Sequence, residues 1–509
     1  MAFVRQRNSG KGIIKVDIDV CDHRGGDCVL LIKGLTLKKE PVQDMILFYP
    51  DWEENEDLST KHSFKEENGH VIIYGGADPK KAKEINDQLL DEECHVIPYD
   101  RDKSDLAKQF VQDALQAFHI IQGVLKKKPT NIVPVQILLF NQSEKSFGKA
   151  LGALLQTAHL ENPNIVGQCV VLNDEMKSEH IRSILHANRQ LMTTPQVAYQ
   201  ESDKRHVLTW KEVPSSERKA SLPWQERGGV YLITGGNGEI AKTMVQEIAQ
   251  HVRQGAIILV GRSQPTMDMQ QWLNEFQDSE LEVSYCMLDV TDLQAVEHCI
   301  VDIKAEYGDL SGIIHGAGVT DDQFFIQKSE AQVSKVLAPP KVLGTVNLDE
   351  ASKDCHLDFF VIFSSIASVM GNIGQADYAT ANAFVDQYAY YRHSLVENDR
   401  RKGRTISINW PLWEDGGMKV TSEQKRQWKE TGMVALTPNS GIRAFYQALS
   451  TPYQQVMVLA GDRDKLCHFV GGEWEETKND DKFYLNLIEQ ITSNELTENQ
   501  FIELLQFHR

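Results

Sequence analysis

The stretch VYLITGGNGEIAKTMVQEIAQHVRQGAIILVGR, residues 230–262, decides the fold. It joins an apolar β-rich run, a glycine turn, a segment with helical spacing and a second apolar run. This order is typical of a βαβ unit, in which a crossover helix links two parallel strands. The stretch VIIYGGADPKKAKEINDQLLDEECHVIPYD, residues 71–100, has the same order of segments. The repetition indicates that one template occurs twice in the chain.

Two later segments also resemble each other. Residues 133–160 and residues 358–389 each contain a buried strand, a polar loop and a long helix. We therefore expect an α/β protein with two Rossmann-like doubly wound parallel-sheet subdomains, the first of them truncated. The predicted boundaries are a structural subdomain at 1–210, a linker at 211–228, a catalytic subdomain at 229–472 and a C-terminal linker or helical extension at 473–509.

The glycine turns of the two halves differ in a way that predicts which half binds a nucleotide. The second turn is TGGNGEIA, whose glycines would let backbone N–H groups approach a pyrophosphate at a helix N-terminus. In the first turn, Asp78 places negative charge where phosphate would lie, and Pro79 removes a donor. The first half is therefore expected to have a structural role and to bind no nucleotide.

Length, charge and cysteine content exclude several classes of protein. The 509 residues fit two or three domains, and the formal net charge of −19 argues against nucleic-acid binding. No apolar run approaches the roughly 18 residues of a membrane span, and the N-terminus lacks the apolar region of a signal peptide. The eight cysteines contain no CxxC pair, which favours reduced thiols and a cytoplasmic protein.

The predicted cofactor pocket lies where the strands of the second half end. Arg262, directly after the second strand, favours NADP over NAD because a basic residue there suits a 2′-phosphate. The alternative is an ordinary surface arginine. The turn and the strand end together give the residues Thr234, Gly235, Gly236, Asn237, Gly238, Ile240, Arg262 and Ser263.

The third and fourth strands add further candidates to this pocket. Asp289 and Val290 end the third strand, where a carboxylate can accept from an adenine amino group; the alternative makes Asp289 the N-cap of a helix from Thr291. Ala317 and Gly318 follow the fourth strand and are small enough for a sugar and nicotinamide to pass close to the backbone. His315 is interpreted as a satisfied core histidine.

The stretch GQADYATAN, residues 374–382, carries the candidate acid. Tyr378 follows Ser365 by thirteen residues, and Asn382 lies one helical turn beyond the tyrosine, so both face the same way. A serine hydroxyl can polarise a carbonyl oxygen while a tyrosine donates a proton. An unperturbed tyrosine pKa of about 10 is unfavourable for this near neutrality, and a nearby ammonium would lower it. The alternative is an ordinary aromatic residue on a helix.

Residues from about 228 to 470 resemble the ketoreductase domains of modular polyketide synthases, a branch of the short-chain dehydrogenase/reductases. The matching motifs are TGGNGEIA, LVGRS, LDVTD, GIIHGAGVTDD, PPKVLGTVNL, FVIFSSIASVMGNIGQADYATANAFVD and SINWPLW. In this family the lysine and asparagine are swapped relative to most short-chain dehydrogenases. The resemblance therefore implies a site of Lys341, Ser365, Tyr378 and Asn382, with Lys341 also contacting the nicotinamide ribose and Ala241 in place of the usual last glycine.

The resemblance also implies a substrate and partners. The substrate would be a β-ketoacyl thioester on the phosphopantetheine arm of an acyl carrier protein, reduced with NADPH and no metal, within a longer chain of synthase domains. Asp322 matches the last residue of an LDD triplet, and Met370 stands eight residues before Tyr378, where the opposite group has tryptophan. Both features favour a D-configured hydroxyl, and Trp410 and Pro411 complete the predicted substrate side.

Two other functions stay open at this point. One is a catalytically silent domain that only docks carrier protein, and the other is a stand-alone short-chain reductase or epimerase of free metabolites. Residues 414–440 are placed to form a substrate lid or a surface excursion. Residues 473–509 are expected to lead towards a neighbouring domain.

Overall fold

The structure of the chain is a computed structural model. It describes residues 2–10, 13–21, 28–38, 44–55, 70–77, 83–85, 87, 93–98, 105–140, 147–173, 175–189, 191–192, 194–199, 204–214, 222–277, 279–414, 416 and 431–471. Asp78 and Pro79, most of the predicted lid (415 and 417–430) and the predicted extension (473–509) lie outside the described residues.

The second half forms a parallel sheet of seven strands. The strands follow the order β13-β12-β11-β14-β15-β16-β17, so the first strand of this half, β11, lies beside its fourth, β14. In such a doubly wound sheet, ligands bind where the strand order reverses. The strands are β11 (Arg227–Thr234), β12 (Gln254–Gly261), β13 (Leu281–Met287), β14 (Gly312–His315), β15 (Phe359–Ser365), β16 (Arg404–Trp410) and β17 (Gln455–Gly461).

The first half contributes seven further strands. Five of them, in the order β9-β8-β7-β5-β6, are parallel to one another. β10 pairs antiparallel with β9, and β4 pairs antiparallel with β10. The strands are β4 (Asp44–Glu54), β5 (Val71–Ala77), β6 (Glu93–Pro98), β7 (Val133–Phe140), β8 (Ile165–Leu172), β9 (Gln196–Tyr199) and β10 (His206–Glu212). The predicted α/β class with two Rossmann-like halves is confirmed.

The two halves share one sheet, which the sequence did not predict. β17 pairs antiparallel with β4, from Met457 opposite Phe48 to Gly461 opposite Asp44, and this pairing makes a single sheet of 14 strands. Three antiparallel pairings separate the two parallel sets, so the sets run in opposite directions. The carboxyl ends of the two sets therefore lie at opposite edges of the sheet.

The first residues of the chain form a separate antiparallel sheet that the sequence also did not predict. It has the order β1-β2-β3 and consists of β1 (Ala2–Gly10), β2 (Ile13–Cys21) and β3 (Cys28–Lys38). This sheet lies within the range 1–210 that we assigned to the structural subdomain.

Helices cover both faces of the large sheet. The first half contains α1 (Leu106–Lys126), α2 (Gly152–Glu161) and α3 (Ser178–Arg189). The second half contains α4 (Glu239–His251), α5 (Met267–Leu273), α6 (Leu293–Tyr307), α7 (Glu330–Leu337), α8 (Leu343–Ala351), α9 (Ala367–Met370), α10 (Ala376–Glu397), α11 (Pro438–Leu449) and α12 (Arg463–Gly471).

The helices of the first half pack on α10, which carries Tyr378. The ring of Phe384 on α10 lies 4.7 Å from Phe110 of α1 and 4.8 Å from Phe147, just before α2. Phe118 of α1 stacks on Phe325 of the second half at 4.5 Å, with the rings 6° from parallel. Because aromatic side chains bury large areas, these contacts hold the two halves together directly beside the candidate site.

The segment between β10 and β11 contains part of the predicted linker. Trp224 is buried there, and its Nε1 donates to the Tyr446 hydroxyl at 2.7 Å. Its ring also stacks on Phe445 of α11 at 5.8 Å. The end of this segment therefore belongs to the core of the second half, while the predicted boundaries stay predictions.

Candidate active site

The glycine turn after β11 lies against its neighbouring strands. Gly235 has φ +79°, and a Cβ there would lie 3.1 Å from the backbone nitrogen of Ala317. A Cβ on Gly236 would lie 2.9 Å from Leu259 Cβ and 3.0 Å from Val260 N. Only glycine fits these positions without a shift of the backbone. The turn thus brings the N-terminus of α4, whose N-cap Gly238 offers no side-chain cap, to the carboxyl edge of the sheet.

Asn237 is tied to the next two strands. Its Nδ2 donates to Ser263 Oγ at 3.0 Å and to the Tyr285 hydroxyl at 2.9 Å, and Tyr285 in turn donates to the Ser263 carbonyl at 2.8 Å. Asn237 Oδ1 is buried and has no hydrogen-bond partner among the described residues. The side chain therefore keeps an acceptor for a ligand. Sequence reasoning missed Tyr285, because nothing in the run LEVSYCM marks it.

Arg262 and Ile240 lie on either side of this turn. Arg262 is exposed directly after β12 and forms no ion pair within the part of the chain that the structure describes. Ile240 is half-buried, and a Cβ on Gly416 would lie 3.6 Å from its Cδ1. The start of the predicted lid thus passes over the first turn of α4.

Asp289 does not cap α6, so that alternative was wrong. The N-cap is Asp292, whose carboxylate accepts from Ala295 N at 3.1 Å. Asp289 is exposed, and its Oδ1 accepts from Thr291 N at 3.0 Å and from Thr291 Oγ1 at 2.8 Å. Its neighbour Val290 is buried, with its carbonyl accepting from Asn347 Nδ2 at 3.0 Å. The suggested contact of Asp289 with adenine stays a prediction.

Thr234 joins the glycine turn to the end of β14. Its Oγ1 accepts from Ala317 N at 3.2 Å and lies 2.7 Å from Nδ1 of His315. Burial and the charge of Lys341 lower the pKa of His315 to about 3, so the imidazole is neutral. The histidine is fully buried, as expected of a core residue, and Gly318 beyond it is exposed.

Ser365 and Asn382 both lie beside Tyr378. Ser365 ends β15, and the other two lie one turn apart on α10. Burial raises the pKa of Tyr378, while hydrogen bonds with the Ser365 and Asn382 side chains lower it. Asn382 Nδ2 donates to the Tyr378 carbonyl at 2.8 Å, and its Oδ1 is buried without a partner among the described residues.

Lys341 lies beside this group. It is 4% exposed, in the π-helical segment Ala338–Val342 that follows α7, and its Nζ donates to the Phe363 carbonyl. A Cβ on Gly318 would lie 3.4 Å from Lys341 Cε, so the lysine borders the strand end predicted to meet the nicotinamide ribose. Burial lowers the pKa of Lys341 to about 8, against the opposing charge of Asp386.

A buried polar network around Asp386 lies next to the site, one turn beyond Asn382 on α10. Asp386 accepts from Ser368 Oγ and Ser407 Oγ, both at 2.6 Å, and from Asn409 Nδ2 at 2.8 Å. Burial raises the pKa of Asp386, and these hydrogen bonds lower it. We did not predict this role for Asp386 from the sequence, although the spacing of Tyr378, Asn382 and Asp386 places all three on one face of α10.

The predicted substrate-side residues fall into two places. Asp322 is exposed, and both of its carboxylate oxygens lie 2.9 Å from Gln375 Nε2, three residues before Tyr378. Met370 packs against the apolar cluster that contains Ile46. The structure therefore brings Asp322 to the turn before the tyrosine and places Met370 against a cluster that contains residues of both halves.

Trp410 and Pro411 are both buried at the end of β16. The Trp410 ring meets Phe363 edge-on at 5.6 Å and Trp413 at 5.1 Å. Its Nε1 is buried without a hydrogen-bond partner among the described residues. The two residues thus form an apolar wall beside the end of β15.

The described residues contain no group of three or more His, Cys, Asp or Glu side chains placed to hold a metal ion. None of the helices in the described part of the chain is long and apolar enough to cross a membrane.

The chain is similar in sequence to known proteins. The profile of the KR domain family matches residues 229–415. Polyketide synthase PksN of Bacillus subtilis (strain 168) is 35% identical over 502 residues, which cover 96% of this chain and 9% of that protein. A second relative from the same strain, polyketide synthase PksL, is 35% identical over 470 residues, which are 91% of this chain and 10% of that protein. The chain thus spans about a tenth of the length of these curated relatives.

A solved structure extends the likeness over most of the chain. The crystal structure of a ketoreductase domain from the bacillaene assembly line is 34% identical, with a TM-score of 0.77. The alignment covers 84% of this chain and 100% of that one.

Proposed function

Because this chain belongs to the ketoreductase domains of polyketide synthases, we propose that it reduces a ketoacyl thioester carried on acyl carrier protein, using NADPH, to the D-hydroxyacyl thioester. The observation that carries the proposal is that Ser365, at the end of β15, and Asn382, one turn along α10, both lie beside Tyr378. This group lies at the carboxyl edge of the second-half sheet, at the end of the strand next to β14, and the strand order reverses between β11 and β14.

The residues at this edge fit a dinucleotide. The crowded glycines Gly235 and Gly236 keep the backbone free of side chains where a pyrophosphate would approach. Asn237 Oδ1 offers a buried acceptor, and the exposed guanidinium of Arg262 suits a 2′-phosphate. Thr234, Gly238, Ile240, Ser263, Asp289, Val290, Ala317 and Gly318 complete the proposed binding set. Bound NADPH would supply the hydride for the ketone carbon.

Tyr378 would donate its hydroxyl proton to the ketone oxygen as that oxygen gains charge. The Ser365 hydroxyl would hold the same oxygen and stabilise the charge, as a preorganised donor does in an oxyanion site. Asn382 fixes the tyrosine through its hydrogen bond to the Tyr378 carbonyl at 2.8 Å. Lys341 would bind the nicotinamide ribose next to Gly318 and add positive charge to the site.

The proposed stereochemistry rests on the substrate side. Asp322 lies against Gln375, in the segment that leads to Tyr378. This contact supports a role for the retained aspartate in guiding the acyl chain. Met370 stands where the opposite group has tryptophan, and it packs against an apolar cluster that contains residues of both halves. Both residues favour the D product.

The proposed partners follow from the relatives, which are much longer polyketide synthases. A phosphopantetheine arm is long enough to carry a thioester from a separate carrier domain into a buried site. Neighbouring synthase domains in a longer chain are therefore the expected context. A cytoplasmic location, expected from the cysteine content, stays a prediction.

The test is nicotinamide oxidation by the purified chain with a short β-ketoacyl thioester, run with NADPH and with NADH, followed by chiral analysis. Turnover with NADPH and a D product supports the proposal. An L product contradicts the stereochemical part. If neither cofactor supports turnover, even with a carrier-bound substrate, the chain is a silent docking domain. Equal turnover of free ketones would favour a stand-alone reductase.

A further inference from the structure

Glu161 reaches from the first half of the chain into the second. It is the last residue of α2 and is 3% exposed. Its Oε1 accepts from the backbone N–H of Gly374 at 2.9 Å, and its Oε2 accepts from that of Phe325 at 2.7 Å. One carboxyl group therefore holds two separate backbone segments of the other half.

Both segments lead to residues of the proposed site. Gly374 lies four residues before Tyr378, and Phe325 lies three residues after Asp322. The segments are also joined to each other, since Gln323 N donates to the Gly374 carbonyl at 2.9 Å. Glu161 thus fixes the spacing between the loop that carries Asp322 and the turn that leads to the tyrosine.

Two further contacts from the first half reinforce this arrangement. Gln122 of α1 donates through Nε2 to the carbonyls of Phe325 at 3.0 Å and Lys328 at 2.8 Å. On the other segment, a Cβ on Gly371 would lie 2.8 Å from Thr157 N of α2. The first half therefore contacts the backbone of each segment, so a shift of either segment would disturb these contacts.

The chemistry of Glu161 is unfavourable for a residue that only fills space. Burial raises its pKa to about 8, and the two amide donors and Lys328 oppose that rise, while Asp377 adds to it. An apolar side chain of similar size would avoid this cost of burying a carboxyl group. An apolar side chain, however, could not accept hydrogen bonds from the backbone N–H groups of Gly374 and Phe325, which both point at the Glu161 carboxyl group.

We propose that Glu161 is a positioning residue of the reductase site, which sets the loop of Asp322 against the turn of Tyr378 and so controls which face of the ketone receives hydride. This inference rests on the proposed function. It gives the nucleotide-free half a part in stereochemical control that is separate from its contribution to stability.

The substitution Glu161→Gln tests the inference with little change in size. Glutamine keeps one acceptor oxygen, but its NH₂ group cannot accept from the second amide. We expect the fraction of the minor enantiomer to rise about tenfold and kcat to fall about tenfold, the order expected for one lost hydrogen bond. The KM for NADPH should stay within about twofold, since no cofactor-binding residue is touched.

The matched control is Glu330→Gln. Glu330 also joins the two halves, through a contact of 3.1 Å between its Oε2 and His119 Nε2, but both side chains are exposed and neither reaches the two segments. This variant should keep the wild-type rate and enantiomer ratio.

The outcomes separate the two claims. If the wild-type chain reduces the thioester and Glu161→Gln gives the wild-type enantiomer ratio, the inference is wrong while the proposed function stands. Equal changes in both variants would also overturn it. If Glu161→Gln does not fold, Gln122→Met must shift the ratio in the same direction, and an unchanged ratio there overturns the inference. A wild-type chain without any activity overturns the proposed function and this inference with it.

Discussion

Asp377 and Lys328 form an ion pair that is closed to solvent, with side chains 1% and 0% exposed. The other carboxylate oxygen of Asp377 accepts from the backbone N–H of Tyr378 at 2.9 Å. Burial raises the pKa of Asp377 in spite of its partner. The pair thus ties the first turn of α10 to the loop that follows Asp322, directly beside the proposed catalytic tyrosine.

Removing one member of this pair should destabilise the fold. Lys328→Met leaves the Asp377 carboxylate buried without its partner, and we expect the free energy of unfolding to fall by about 3–5 kcal/mol, measured by urea denaturation. The control is Lys335→Met, because Lys335 is 70% exposed and pairs with Asp321 at the surface. That variant should lose less than about 1 kcal/mol. Equal losses in both variants would contradict the role given to the buried pair.

The tyrosine hydroxyl should be essential for reduction but not for cofactor binding. Tyr378→Phe removes the proton donor, and we expect kcat to fall by about 10²- to 10⁴-fold with the affinity for NADPH retained. Tyr390→Phe on the same helix is the control, since Tyr390 is 38% exposed. Rates from nicotinamide absorbance and affinities from fluorescence titration test both statements. A Tyr378→Phe variant with wild-type kcat would contradict the mechanism.

Lys341 should give the reaction a pH dependence. Its pKa is lowered to about 8 by burial, so the ammonium is present below that pH and is lost as the pH rises through it. Its positive charge offsets the phenolate that forms when Tyr378 gives up its proton. We therefore expect initial rates of reduction to fall about tenfold per pH unit above the pKa. Lys341→Met should be slower at neutral pH and lack this decline; the same decline in the variant would assign it to another group.

Arg262 should determine the choice between the two nicotinamide cofactors. Arg262→Ala removes the group expected to meet the 2′-phosphate, and the preference for NADPH over NADH should fall about 10- to 100-fold, as for a lost charge-assisted hydrogen bond. Arg253→Ala is the control, because Arg253 lies before β12, at the opposite end of the strand, and pairs with Glu226 at 3.2 Å. The ratio of kcat/KM values for the two cofactors measures the effect. An unchanged ratio in Arg262→Ala would contradict the assignment.

The sequence predicted those parts of the fold that depend on local pattern. The βαβ order around the glycine turn and the shared face of Tyr378 and Asn382 follow from spacing along one strand or one helix. The pairing of β4 with β17 could not be predicted in this way, because it joins segments about 400 residues apart and neither segment has a sequence pattern that indicates its partner. The antiparallel sheet of β1–β3 was also not predicted, because the pattern of a βαβ unit carries no information about hairpins.

In the candidate site, too, the residues with a local sequence pattern were predicted and those placed by tertiary contacts were not. Ser365 and Tyr378 were predicted to act together, and the structure brings them together. Lys341 lies with its Nζ at the Phe363 carbonyl and its Cε beside Gly318, and its expected action on the tyrosine stays a prediction. Glu161 could not be found from the sequence, since its two partners are backbone amides. Backbone groups carry no sequence signal, and only the tertiary structure shows which side chain meets them.

The central claim is that this chain reduces a carrier-bound ketone at Tyr378. The most direct measurement is mass spectrometry of the acyl chain after incubation with a β-ketoacyl carrier protein and NADPH deuterated at the transferable position, for the wild type and for Tyr378→Phe. The account predicts a hydroxyacyl product with one deuterium on its hydroxyl-bearing carbon in the wild type, and unreacted ketone in the variant. An unreduced ketone in the wild type, or equal labelling in both proteins, would contradict it.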